Sequence, residues 1–349
     1  NTKCSENDRG PLEYGSMKVL IVNQSEVRRL LPMKECIDVM AETLAAVERG
    51  EAILPLRPIL WLPEKAGALG MMPSYLANIN AVGLKVITVF HGNRGTRYDS
   101  HQGAVLLFET SHGQLLAIMD ATSITAIRTA AVSGVATRLL ARKDANSLAI
   151  LGSGVQAKTH LAAMIESRPV TSVRVWSRNA EHARHFVERL RYDGVRINAV
   201  DTVEEAVAEA DIICTTTGAR EPILKGEWIQ PGTHINAVGS SVPFTRELDA
   251  SAVSRARLFV DRRESTLNEA GDFLLAKKEG AIDDNHILGE IGELLLGKVQ
   301  GRASRDDVTL FKSLGLSVED LASANHVYRK AIETGAGVFV ELGGERDDD

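Results

Sequence analysis

The sequence predicts an α/β protein in two parts: an N-terminal α+β part of roughly 140 residues, then a part in which strands and helices alternate around a parallel sheet. Three observations carry this prediction. Residues 53–119 are rich in β-type segments separated by Gly, Pro and Asn; from Ser147 onward short apolar runs alternate with helical ones; and an apolar run at 148–151 leads straight into the turn Gly152-Ser153-Gly154. With 349 residues, 44% hydrophobic and 25% charged, the chain is long enough for about two domains, and its composition excludes a disordered or collagen-like polymer.

Residues 18–22 read as a short strand. Residues 34–49 set Ile37, Met40, Ala41, Leu44 and Val47 at helical spacing, and Gly50 stops the helix. Segments at 53–62, 67–72, 82–90, 104–108 and 115–119 predict a mainly antiparallel sheet. A long helix over 120–141 carries Ala126, Ala130, Ala131 and Gly134, small enough for close packing on a neighbour. Strands at 148–151, 172–176, 195–199, 211–215, 234–238 and 257–261 then alternate with helices at 155–166, 180–191 and 203–209, which requires right-handed crossovers. A β-like run at 308–311 and a helix over 318–333 complete the pattern.

Lys+Arg 40 against Asp+Glu 46 leaves a formal charge of -6, so no overall positive field favours nucleic acid as a partner. The longest stretches without a charged residue, 66–84 and 228–245, are broken by Pro73, Asn78, Asn80, Pro231 and Asn236, which argues against a membrane span. Cys4, Cys36 and Cys214 are scattered, with no CxxC spacing, so neither a disulfide framework nor structural zinc is expected, and a reducing cytoplasm fits best. The polar residues 1–16 are expected to be a leader ahead of Met17, and 345–349 a solvated acidic tail.

The run from Leu148 to Ala157 is strand, GxGxxA, helix. Gly152 permits the tight turn, Gly154 lets backbone amides approach a pyrophosphate, and Ala157 allows close helix–sheet packing, so this half is predicted to be a Rossmann-type dinucleotide-binding domain. The next strand ends in Ser177-Arg178-Asn179, without the acid that would bond a ribose 2′-hydroxyl. Arg178 and the Ser177 hydroxyl suit a 2′-phosphate, which predicts NADPH over NADH, with NADH possible; the bland alternative is a solvated loop cation.

Three cations interrupt apolar surroundings: Arg57, Lys85 and Arg128. A buried cation needs an anion, which is either a structural partner, such as Asp120 for Arg128, or a carboxylate-bearing substrate. His101 stands between Ser100 and Gln102 ahead of an apolar strand, placed either for structure or to touch substrate or cofactor. His182 and His185 share a helix face without a carboxylate or Cys partner, so no metal site is expected. GxSxG, HExxH and Walker A motifs are missing, which leaves hydrolase and phosphotransferase readings unsupported.

The ordered blocks Gly70-Met71-Met72-Pro73, Gly83-Leu84-Lys85, Ser100-His101-Gln102, Thr125-Ala126-Ile127-Arg128-Thr129-Ala130-Ala131, Gly152-Ser153-Gly154-Val155-Gln156-Ala157, Ile235-Asn236-Ala237-Val238-Gly239 and Phe311-Lys312-Ser313-Leu314-Gly315 resemble the ornithine cyclodeaminase/mu-crystallin family from about residue 17 to 344. The resemblance implies that Arg57, Lys85 and Arg128 converge on a substrate carboxylate beside a nicotinamide ring. Ornithine cyclodeaminases carry acids at the positions of Gly70 and Ser241; this chain does not, and it looks more like the NADPH-dependent ketimine reductases of the family. The implied reaction is reduction of Δ1-piperideine-2-carboxylate or Δ1-pyrroline-2-carboxylate, with Lys85 or a water as proton donor, Ser241 as a hydrogen-bonding helper and His101 near the substrate. Amino-acid oxidoreduction of the ornithine cyclodeaminase or alanine dehydrogenase type, and NADPH-dependent thyroid-hormone binding, are the alternatives. Gly152, Ser153, Gly154, Val155 and Gln156 would hold the pyrophosphate, and Ser177, Arg178 and Asn179 the 2′-phosphate. Thr217, Val238 and Lys312 would approach the nicotinamide half. The family also implies a homodimer, with residues 17–140 and 310–344 forming a discontinuous substrate-binding and dimerisation domain around a nucleotide-binding domain at 141–309.

Overall fold

Two eight-stranded sheets organise the residues described by the computed structural model, which are 18–93 and 95–343. The expected leader, the acidic tail and Cys4 lie outside them. The first part runs β1 (Lys18–Val22), α1 (Gln24–Leu30), α2 (Met33–Glu48), β2 (Ala52–Ile53), β3 (Ile59–Trp61), β4 (Ala68–Leu76), β5 (Ala81–Val89), β6 (His101–Glu109), β7 (Leu115–Asp120) and α3 (Ala121–Leu140). Its strands pair antiparallel, except that β1 lies parallel to β7. The expected strand over 53–62 is broken in two, because Pro55 and Pro58 cannot donate ladder hydrogen bonds. Helix α1, which hydrophobic spacing alone did not reveal, is fixed by a capping box between Asn23 and Glu26.

Strand alternation decides where the first cation goes. In β5, Ala81, Gly83, Lys85 and Ile87 share one buried face, so the period that buries the apolar residues also buries Lys85, at 3% exposure. Helix α3 is buried around most of its circumference, as its small apolar residues on all sides demand, with Gly134 against Ile37 of α2.

The second part runs β8 (Ser147–Leu151), α4 (Val155–Ser167), β9 (Ser172–Trp176), α5 (Ala180–Glu188), β10 (Arg196–Ala199), α6 (Val203–Val207), β11 (Ile212–Thr215), β12 (His234–Ala237), α7 (Ala250–Ser254), β13 (Arg257–Val260), α8 (Arg263–Glu269), α9 (Gly271–Lys278), β14 (Ile287–Glu290), α10 (Ile291–Leu295) and β15 (Thr309–Lys312). The sheet is parallel, in the order β10-β9-β8-β11-β12-β15-β13-β14. The order in which strands are laid down reverses between β8 and β11, which run parallel, and this is the crevice where such sheets receive ligands. The strand expected at 308–311 belongs to this sheet as β15, so the chain crosses back to the first part after Lys312 and not at residue 310. Helix α11 (Ser317–Thr334) then packs on β4, β5 and β6, and β16 (Val338–Glu341) pairs antiparallel with β1.

Candidate active site

The glycine turn after β8 is shaped by what surrounds it. Gly152 has φ +128°, and a Cβ there would lie 2.6 Å from Thr216 Oγ1, so only glycine brings β8 and β11 together at the reversal. Gly154 begins α4 with no side-chain cap, and a Cβ at that position would meet nothing within 4 Å. The first amides of a 13-residue helix are therefore left for an anion in open space. Gln156 adds a buried Oε1 without a hydrogen-bond partner, and Val155 is exposed. Ser153 Oγ donates to Ser177 Oγ at 3.0 Å, tying the turn to the tip of β9. Arg178 is exposed at that tip, whereas Asn179 accepts from Glu181 N and so caps α5. The cradle fits the pyrophosphate and adenosine ribose of a dinucleotide.

A buried acid supports the other side of the crevice. Glu247 accepts from Thr215 Oγ1 at 2.7 Å, from Thr217 N at 2.6 Å and Oγ1 at 2.7 Å, and from Gly239 N at 2.7 Å. It thereby locks the chain after β11 to the chain after β12. Burial pushes its carboxyl above the usual range, against the pull of the Thr215 and Thr217 bonds. Val238 is buried beside this lock. Lys312 Nζ is held by Asp272 Oδ2 at 2.9 Å and Ser240 O at 2.6 Å, at 1% exposure, and so supports the backbone after β12. Ser240 is the buried serine of the pair, with its Oγ on Thr245 O, and Ser241 is exposed.

All three predicted cations have carboxylate partners within the protein. Lys85 Nζ lies 2.7 Å from Asp320 Oδ2 and 3.4 Å from Thr125 Oγ1. Arg128 donates from Nε to Asp320 Oδ1 at 3.0 Å and from Nη1 to Glu319 Oε2 at 2.6 Å. Both acids sit in the first turn of α11, where the helix dipole favours negative charge. Asp120, the partner considered from sequence, instead caps α3 through Ser123 N. Arg57 donates from Nε at 2.9 Å and Nη2 at 2.5 Å to Glu269 Oε2. Burial pulls the Lys85 ammonium down to about 8, opposed by Asp320 and assisted by the charges of Arg128 and Arg57. Burial also pushes Glu319 up to about 7.

Of these groups, Arg57 and Glu269 line a cleft whose walls also include Met72, Gly315 and Ser317, while Lys85 and Arg128 are buried at 3% exposure each. Met72 is the cross-strand partner of Lys85, and the Arg128 guanidinium lies against Gly315. Gly315 has φ +81°, and a Cβ would collide with Arg128 Nη1, so the glycine both turns the chain and makes room for the cation. Asp261, just after β13, accepts from Leu314 N at 2.6 Å and Gly315 N at 2.7 Å, which places the cleft at the carboxyl ends of β13 and β15. His101 lies elsewhere: it opens β6, is exposed, and its Nδ1 is 3.0 Å from Ser100 Oγ. His182 and His185 are exposed on α5.

The model of the ornithine cyclodeaminase/mu-crystallin family matches residues 17–335. The ketimine reductase mu-crystallin of Mus musculus is 43% identical over 279 residues, covering 80% of this chain and 85% of its own. A Δ1-pyrroline-2-carboxylate reductase of Bacillus cereus is 36% identical over 326 residues, covering 93% of this chain and 100% of its own. Among solved structures, the Thermococcus litoralis Δ1-pyrroline-2-carboxylate reductase in complex with NADH and L-proline superposes with a TM-score of 0.90 at 40% identity, over 92% of this chain and 100% of that one.

Proposed function

The chain belongs to the ornithine cyclodeaminase/mu-crystallin family, and from that premise we propose that it is an NADPH-dependent reductase of cyclic ketimine carboxylates. It would convert Δ1-pyrroline-2-carboxylate to proline or Δ1-piperideine-2-carboxylate to pipecolate. The observation that carries this reading is Arg57 in the lining of a cleft at the carboxyl ends of the nucleotide-type sheet, with Lys85 across the strand pair from its Met72 wall and Arg128 against its Gly315 wall. Relatives described above are a ketimine reductase and Δ1-pyrroline-2-carboxylate reductases by name, and a structure of one of the latter holds NADH and L-proline.

When bound, the nicotinamide supplies the hydride. The chain's own residues orient the acceptor: Arg128, Lys85 and Arg57 hold the carboxylate next to the imine, so that positioning supplies much of the acceleration. Lys85, with its ammonium lowered to about 8, is the group suited to hand a proton to the imine nitrogen near neutral pH. Ser241, exposed after β12, would be a hydrogen-bonding helper; neither it nor His101 belongs to the cleft lining. Residues 152–156 would hold the pyrophosphate, and Ser177, Arg178 and Asn179 the 2′-phosphate that distinguishes NADPH from NADH. We assign the first sheet, with the returning helix α11, to substrate binding and dimerisation. Exposed Ile59, Leu60 and Trp61 on β3 give a homodimer an apolar surface to cover. The free, buried Cys36 and Cys214 suit a reducing, cytoplasmic setting.

The test compares NADPH consumption on the two cyclic imines with ammonia release from ornithine. Turnover of an imine, with NADPH giving the higher kcat/KM than NADH, is expected. Turnover of ornithine with neither imine consumed would overturn the reading.

A further inference from the structure

In the order of the second sheet, the ends of β11 and β12 lie between the glycine turn after β8 and the cleft at the ends of β15 and β13. A dinucleotide seated on that turn therefore reaches the cleft by laying its far ring over the ends of β11 and β12. Glu247, at 0% exposure, is bonded to both of them.

Its bonding is that of an ionised carboxylate. Each oxygen accepts one backbone N–H and one threonine hydroxyl: Oε1 from Thr217 N and Oγ1, and Oε2 from Gly239 N and Thr215 Oγ1. A proton on either oxygen would have to displace one of these donors, and none of the four is a cation. Lys312 also acts on Glu247, but its Nζ is 2.9 Å from Asp272 Oδ2, so the charges of that pair offset one another. The second oxygen of Asp272 accepts from Glu247 N at 2.7 Å and Leu248 N at 3.0 Å, which makes the three residues one rigid unit. The unit keeps one buried negative charge, whereas neutral side chains would tie the same two loops together at less cost to the fold.

We propose that this charge on Glu247 favours the oxidised, cationic form of the nicotinamide and so makes the cofactor a stronger hydride donor. The hydride takes both electrons of a ring C–H bond to the imine carbon, so the ring passes from neutral to cationic as the new C–H bond forms. A fixed negative charge in a water-poor interior stabilises that change and the transition state leading to it. Glu247 is thus a positioning residue, acting through its field and through the Thr217 and Gly239 backbone that it holds. The inference rests on the dinucleotide part of the reductase reading.

Titrating NADP+ and NADPH separately into the protein, with no imine present, reads the effect as a ratio of dissociation constants. Glu247→Gln should raise the Kd of NADP+ over that of NADPH about tenfold relative to wild type. Thr215→Val removes one of the four bonds and no charge, so it should weaken both forms alike, as loosened loops alone would. Asp272→Asn keeps Glu247 and its four bonds but leaves Lys312 to offset its charge; the ratio should move in the same direction as in Glu247→Gln. An unchanged ratio in Glu247→Gln overturns the proposal, as does an unchanged ratio in Asp272→Asn should the glutamine variant fail to fold. If wild type binds neither form, the dinucleotide reading falls and this proposal with it.

Discussion

Arg128→Leu is expected to lower kcat/KM for the cyclic imine at least about thirtyfold, ~2 kcal/mol of transition-state binding, and to reduce the unfolding free energy by about 3–5 kcal/mol. Both effects follow from one placement. The guanidinium bridges Glu319 and Asp320 at 3% exposure, so its removal leaves Glu319 uncompensated and Asp320 paired with Lys85 alone, while also deleting the contact assigned to the substrate. The two losses separate in the double variant Arg128→Leu/Glu319→Gln. Neutralising Glu319 should recover part of the stability measured by denaturant unfolding, and none of the activity. A single variant with wild-type kinetics would return Arg128 to a purely structural role.

The second large effect is a pH dependence set by Lys85. Its ammonium loses its proton at about 8, and the protonated form is the one that holds a carboxylate and donates to nitrogen. The sign is therefore fixed: kcat/KM for reduction should be level below that value and fall about tenfold per pH unit above it. Asp320 is the charge that holds the value up, while Arg128 and Arg57 press it down, so Asp320→Asn should move the limb to lower pH. Glu319, raised to about 7 by burial, titrates nearby; Glu319→Gln should leave the limb near 8 in place. Lys85→Gln should abolish the limb and cost about a hundredfold in rate. A limb that persists in Lys85→Gln belongs to another group and would remove Lys85 from proton transfer.

Much of this arrangement was legible in the chain. The period-two pattern of β5 and the turn Gly152-Ser153-Gly154 fixed the two sheets and the cradle, because both are local signals. Arg57, Lys85 and Arg128 declared themselves by interrupting apolar runs. Their partners did not. Glu319 and Asp320 stand beside Val318 and Leu321 at the head of α11, and an acidic pair facing an apolar helix face was a usable sign that a buried cation waited for them. Glu269 and Asp272 gave no such sign, since α8 and α9 are short helices whose place is set by tertiary packing and not by hydrophobic period. The partner of Lys312 was equally hidden: the resemblance implied only an approach to the nicotinamide half, and Asp272, which holds its Nζ, stands 40 positions away.

The most direct test is a crystal structure with NADPH and L-proline bound. The expected result is the proline carboxylate within hydrogen-bond distance of Arg128, Lys85 and Arg57, in the cleft walled by Met72 and Gly315. L-proline bound elsewhere, with Arg128 and Lys85 still closed on Asp320 and Glu319 and Arg57 on Glu269, would contradict the account.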